Sequence, residues 1–134
     1  MFLIYLGIVL LSAATLLFEI TLTRVFSVAQ WYHFAFMVVS LALLGFGASG
    51  SLLSAFPRLL AKKLSNLLAV FAALFSLSCL GSYLVTNTIP FDSYRVAWES
   101  RQLCYLVGYY LSLAIPFFFA GLALGAALSK MPAQ

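Results

Sequence analysis

Residues 34–56 read FAFMVVSLALLGFGASGSLLSAF, a run of apolar and small residues that contains no charged side chain. An α-helix needs about 20 such residues to cross the ~30 Å hydrocarbon core of a bilayer. A helix also satisfies its own backbone hydrogen bonds, which lipid cannot do for it. The run therefore predicts a transmembrane helix. If this helix spans a membrane, further membrane-spanning helices are the structure to look for before and after it in the chain.

One similar apolar run precedes this segment and two follow it. The predicted helices cover residues 2–28, 34–56, 66–88 and 102–129. A short basic connection, 57–65, joins the second helix to the third, and a polar loop, 89–100, joins the third to the fourth. The sequence thus predicts an all-α polytopic membrane protein, a four-transmembrane-helix bundle that forms one transmembrane domain over residues 1–134.

Composition leads to the same class. Of the 134 residues, 65% are hydrophobic and 7% are charged, and the mean hydropathy is +1.12. A soluble domain carries roughly 25% charged residues because its surface must meet water. The net charge of +4 is scattered between the apolar runs rather than gathered on one basic face, so we expect the lipid bilayer as partner and no nucleic acid.

The distribution of cations predicts an orientation. One side of the membrane receives four cations and no acid: Arg58, Lys62, Lys63 and Lys130. The other side receives three cations, Arg24, Arg95 and Arg101, along with Glu19, Asp92 and Glu99, and Arg24 falls inside the first predicted helix rather than in a loop. By the positive-inside rule both termini are cytoplasmic and the 89–100 loop is outside. We expect an integral protein of a bacterial inner (cytoplasmic) membrane.

Glu19 lies inside the first predicted helix, where an ionisable group costs about 3 kcal/mol on insertion scales. It belongs to a row of polar side chains spaced three or four residues apart, and such a row forms one stripe of a helix. The row consists of Ser12, Thr15, Glu19, Thr23, Ser27 and Gln30. We expect the stripe to pack against other helices, with hydroxyls such as those of Thr15 and Thr23 satisfying the carboxyl group.

Arg24 follows Glu19 by five residues, about 140° around the helix. An ideal ion pair within a helix is spaced three or four residues, so the two do not form one readily. Two interpretations stay open. Glu19 is either a buried structural carboxyl, with Arg24 extending to the outer headgroups, or a proton or cation site.

Glycines in two of the predicted helices indicate close helix packing, because small residues let helix backbones approach. The second helix contains Gly45, Gly47 and Gly50, and the fourth contains Gly121 and Gly125. These small-residue surfaces lie at the same predicted end of the two helices, which suggests that the ends meet. Pro116 removes one backbone donor from the fourth helix, where we expect a kink.

His33 is the only histidine and a candidate cofactor ligand, since one axial histidine can hold a haem or a chlorophyll-type pigment. It follows Trp31 and Tyr32, however, and such a cluster is typical of the headgroup level. Cys79 and Cys104 with one histidine fall short of a zinc site. We therefore expect no metal, no cofactor and no catalytic residue in this chain.

Three stretches resemble the membrane part of spermidine/spermine-synthase-like (aminopropyltransferase-like) proteins. They are FEITLTRVFS at 18–27, the segment 31–50 that ends LLGFGASG, and the segment from RQL at 101–103 through PFFFAGLALG at 116–125. The resemblance implies that such helices precede a soluble Rossmann-like domain, which would bind decarboxylated S-adenosylmethionine or a related nucleotide. Catalysis would belong to that domain, so no catalytic residue is transferred to this chain.

Three hypotheses follow. The first is a membrane-anchoring or structural module of a synthase-like protein. The second is a small accessory subunit of a larger membrane complex, either electron-transfer or photosynthetic. The third is a proton- or cation-coupled transporter that uses Glu19. Beside the lipid bilayer, we expect other membrane helices as partners, in a homo-oligomer or a larger complex.

Overall fold

A computed structural model describes residues 2–29, 32–89, 98 and 100–130; the side chains of 29, 32–35 and 100 lie outside that description. Four long α-helices make up nearly all of it: α1 Phe2–Ala29, α2 Tyr32–Ala55, α3 Leu64–Thr88 and α4 Ser100–Lys130. A short 3₁₀ helix, Pro57–Ala61, precedes α3. The described residues contain no strand, and the predicted all-α bundle is confirmed.

Each helix is long and apolar enough to cross a membrane. The four spans have mean hydropathies of 2.2, 1.9, 2.0 and 2.1 in chain order. Large hydrophobic side chains are exposed along all of them, as expected for surfaces that meet lipid. Helices α2, α3 and α4 each begin two residues before the predicted start, at Tyr32, Leu64 and Ser100. Most of the predicted 89–100 loop lies outside the described residues.

The connection between α2 and α3 is a tight turn. Pro57 occupies the first turn of the 3₁₀ helix, where its fixed φ is suitable and its missing N–H costs nothing. The Lys130 side chain donates a hydrogen bond to the backbone carbonyl of Lys62, so the end of α4 lies beside this connection. Arg58, Lys62, Lys63 and Lys130 therefore share one end of the bundle, the basic end.

Helix α4 is the central element. It has the most extensive contacts with both α2 and α3, whereas α1 packs mainly on α2. In an 18-residue apolar stretch of α4, 56% of the residues are buried, against 11% in the corresponding stretch of α1. Phe117, Ala120 and Ala123 on α4 are fully buried. The other helices are thus arranged around α4.

Helix α1 is attached to α4 at two levels. Near mid-membrane, the ring of Phe18 lies 5.5 Å from that of Phe117. Near the end opposite the basic end, Phe26 meets Tyr109 edge to face with ring centroids 5.6 Å apart. Aromatic pairs of this kind contribute about 0.5–1.5 kcal/mol beyond their area burial. These contacts join α1 to α4 through side chains rather than through close backbone approach.

Pro116 lies inside α4 and leaves one backbone carbonyl without its usual hydrogen-bond donor. A proline has no N–H, so the carbonyl four residues earlier, that of Ser112, loses its intrahelical donor. The hydroxyl of Ser82 on α3 donates to this carbonyl at 2.5 Å, and Ser82 is buried. Hydroxyls on neighbouring helices are one of the ways in which membrane proteins tolerate proline. The hydrogen bond therefore joins α3 to the middle of α4.

We expect Ser82→Ala to lower the free energy of unfolding by about 1 kcal/mol, since the Ser112 carbonyl would be left without a donor. In a Pro116→Ala background the new N–H can satisfy that carbonyl. The same Ser82→Ala change should then cost clearly less. Unfolding of the four variants in mixed micelles, followed by circular dichroism, measures the coupling.

Ser76→Ala is the matched control, because Ser76 lies on the exposed side of the same helix. Equal costs of Ser82→Ala in the two backgrounds would show that Ser82 does not act on the carbonyl that Pro116 releases.

Candidate functional site

Three of the five glycines singled out above lie in the contact between α2 and α4. A Cβ added at Gly45 would lie 2.7 Å from Phe117 Cβ and 2.8 Å from the backbone nitrogen of Phe118. One added at Gly121 would overlap the Ser49 hydroxyl. One added at Gly125 would lie 2.8 Å from a methyl carbon of Leu53. At Gly45 the missing side chain lets α2 meet the backbone of α4, and at Gly121 and Gly125 it leaves room for the Ser49 and Leu53 side chains of α2.

The other two glycines, Gly47 and Gly50, lie outside this contact. A Cβ added at either position would have no heavy atom within 4 Å, apart from its neighbours in the chain and the backbone of its own helix turn. Both residues are exposed in the structure. They belong to the surface of α2 that meets lipid or another protein.

The polar stripe of α1 lies at the edge of its contact with the bundle. The positions that face the bundle are Leu11, Thr15, Phe18, Leu22 and Phe26, all buried or half-buried. Glu19 is about 60° around the helix from Leu22 and is half-buried. Ser27, at the far end of the stripe, is exposed. Thr15 is the stripe residue that reaches the centre of the contact, and aromatic and aliphatic side chains form the rest of it.

The hydroxyls of the stripe bond to their own helix instead of to the carboxyl group. Thr15 donates to the carbonyl of Leu11 and Thr23 donates to the carbonyl of Glu19, each at 2.8 Å. Ser27 donates to the carbonyl of Arg24, also at 2.8 Å. Threonine and serine in helices commonly bond back in this way. The expected solvation of Glu19 by these hydroxyls does not occur.

Glu19 and Arg24 have no partner among the residues that the structure describes. Within the described residues, neither the carboxylate nor the guanidinium takes part in a hydrogen bond or an ion pair. Both line a shallow notch of about 340 Å³ on α1, together with Leu16, Ile20 and Thr23. Ionisable groups inside a membrane span normally pair with one another or face protein or water. The notch therefore holds an acid and a base that the described residues leave unpaired.

A larger crevice opens between α1, α3 and α4. Its volume is about 440 Å³, and its walls are mainly apolar. Polar groups collect at the end opposite the basic end, where Tyr83, Thr86 and Asn87 contribute to the wall. Ligand pockets have this character, apolar with a few polar groups that fix orientation, and this volume lies within their usual range of about 300–1,000 Å³.

The described residues supply no metal centre. No group of three histidine, cysteine or acidic side chains stands together among them. Cys79 is half-buried, Cys104 is exposed, and both are free thiols. His33 belongs to α2, but its side chain lies outside the described ones.

Ser82 is the functional position that the sequence reasoning missed. The signal was present, because Pro116 in a membrane helix implies an unpaired carbonyl at Ser112 and a donor on some neighbouring helix. Helix α3 carries several hydroxyls, and the sequence did not show which one faces α4. Only the packing identifies Ser82.

The fold and these sites define an integral membrane protein, a bundle of four apolar helices centred on α4 with an incomplete charged notch on α1. Comparison with protein families, with curated proteins and with solved structures found no match to this chain.

We expect Gly45→Ala to lower the free energy of unfolding by about 1–3 kcal/mol, the usual cost of overpacking. The added methyl group would meet the backbone of α4, which cannot rotate away as a side chain can. Gly47→Ala is the matched control, two residues along the same helix and open to its surroundings.

For both variants, the measured quantity is the fraction of protein that stays folded after heating in detergent. Equal stability of the two would contradict the close approach of α2 to α4 at Gly45.

Proposed function

We propose that this chain is a membrane-anchoring structural module that resembles the membrane part of a spermidine-synthase-like protein. The observation that carries the proposal is the filled interior between α2, α3 and α4. Of the five largest fully buried side chains, Val38, Leu113, Pro116 and Phe117 are apolar and only Ser49 is polar. An interior of this kind supports holding helices in a fixed arrangement.

The buried hydroxyls support the same proposal. Thr15, Ser49 and Ser82 are each buried, and each donates to a backbone carbonyl. A proton or cation path needs groups at several depths that can exchange partners with the moving ion. The Ser82 hydroxyl already joins α3 to α4, those of Thr15 and Ser49 already bond to carbonyls of their own helices, and Glu19 lies at the edge of the bundle.

The stretches that carry the family resemblance coincide with the contacts that hold the bundle together. The 18–27 stretch supplies Phe18 and Phe26, which attach α1 to α4. The 43–50 and 116–125 stretches supply Gly45 and Gly121, where α2 and α4 approach most closely. A shared way of packing the membrane helices is a physical reason for the resemblance.

Under this proposal the chemistry belongs to an aqueous domain outside this chain, and the helices hold that domain at the membrane. The basic end supports an orientation with this end in the cytoplasm of a bacterium, because cations are retained on that side. An aminopropyltransferase-like domain would then work beside the basic end, at the inner membrane.

The crevice between α1, α3 and α4 favours a second candidate, an accessory subunit of a larger membrane complex. An apolar crevice of about 440 Å³ beside lipid could hold an acyl chain or the tail of a pigment. The Tyr83, Thr86 and Asn87 side chains would face its polar end. A fixed stoichiometry in a pigmented or haem-containing complex would favour this candidate over the first.

The test is the intact mass of the native polypeptide, extracted from its own membrane. The anchoring proposal predicts a mass well above the 14.7 kDa of this chain, with the additional sequence forming a soluble domain. A mass near 14.7 kDa together with stable co-purification in a complex would replace it with the accessory subunit. A proton or cation flux in liposomes that is lost in Glu19→Gln would favour transport over both.

A further inference from the structure

Helix α1 carries a heptad-spaced seam on the side that the bundle leaves uncovered. The seam consists of Phe2, Leu6, Val9, Ala13, Leu16, Ile20, Thr23 and Ser27, at alternating steps of four and three residues. Val9, Leu16 and Ile20 are 63%, 58% and 54% exposed. A repeat that averages 3.5 residues is the pattern by which two helices wrap in a left-handed coiled coil.

An apolar seam alone selects no partner, because almost every position of a membrane helix is apolar. The charged residues on its two flanks do select one. With Ile20 at an a position of the heptad, Glu19 is at g and Arg24 is at the following e. In coiled coils the g and e positions form the ion pairs between helices that set partner and orientation.

The five-residue spacing of Glu19 and Arg24 fits this arrangement. It is poor for a pair within one helix, and the structure contains no such pair among its described residues. Between two parallel helices in register, a g residue of one lies beside the e residue five positions later on the other. Glu19 of each copy would therefore reach Arg24 of the other copy.

The notch beside Glu19 has the residues of a coiled-coil hole. Its wall contains Leu16, Glu19, Ile20 and Thr23, which are the d, g, a and d positions around one layer of the seam. A hole of four such residues receives one side chain of the facing helix as a knob. In a parallel dimer that knob is Ile20 of the other copy, and the small Ala13, Thr23 and Ser27 let the helices approach.

We infer that α1 is the interface of a parallel homodimer, in which Glu19 and Arg24 form two reciprocal ion pairs across a two-fold axis along the membrane normal. Copies with the same topology in one membrane are necessarily parallel. A two-fold interface needs a self-complementary patch, and one acid and one base at this spacing provide it. The inference rests on the proposed function and adds a partner to it, a second copy of the chain. The two can fail separately, because a monomeric bundle could still anchor a domain.

Disulfide cross-linking in native membranes tests the interface. In a Cys79→Ser, Cys104→Ser background, Ile20→Cys should form a disulfide-linked dimer readily, because position 20 lies on the two-fold seam. Thr21→Cys is the matched control. Thr21 is the next residue of α1 and lies on the wall of the crevice between α1, α3 and α4. Equal or absent cross-linking at the two positions would overturn the inference.

Charge reversal tests the ion pairs. Glu19→Arg and Arg24→Glu alone each place like charges together, and each should weaken dimerisation by roughly tenfold or more. The double variant Glu19→Arg with Arg24→Glu restores opposite charges and should recover dimerisation. The readout is the Ile20→Cys cross-link, normalised to the amount of folded protein in the membrane.

Recovery in the double variant supports the reciprocal pairs, since a variant that failed merely by misfolding would not be rescued by a second charge change. Single variants that dimerise as well as the parent would contradict the pairs. A double variant that folds but stays monomeric would contradict them too.

Discussion

The carbonyl of Ser112, released by Pro116 and bound by the hydroxyl of Ser82, lies at the centre of the structure. Lipid offers no replacement donor at this depth, so α3 must lie against α4 with Ser82 in this register. The opposite side of α4 is held by close backbone contact with α2 at Gly45 and Gly121. Together these contacts make α4 the central helix, and the positions of the other helices follow from it.

Helix α1 has the contrasting role. It packs mainly on α2 and meets α4 through the rings of Phe18 and Phe26, and most of its residues are exposed. The two ionisable groups within its span lie on that surface or at its edge. The structure is thus a three-helix core with a fourth, more exposed helix that carries two ionisable groups.

The sequence predicted the four helices well, because length and hydropathy alone identify a membrane span. It also placed the small residues of α2 and α4 at the same end, where in the structure Gly45 meets Phe117 of α4 and Gly121 meets Ser49 of α2. It did not separate Gly45 from Gly47, since both fit a small-residue pattern and only the rotation of α2 distinguishes them. The role of Ser82 was equally hidden, because it depends on which hydroxyl of α3 faces the carbonyl released by Pro116.

Tryptophan substitution along α4 tests its central position most directly, with the amount of folded protein that survives heating in detergent as the readout. The account predicts severe loss at Ala120, Ala123 and Ala126, which are fully buried. It predicts near-normal levels at Leu103, Val107 and Leu111, whose side chains are exposed. Tolerance of tryptophan at the three alanines, or equal loss at both sets, would contradict it.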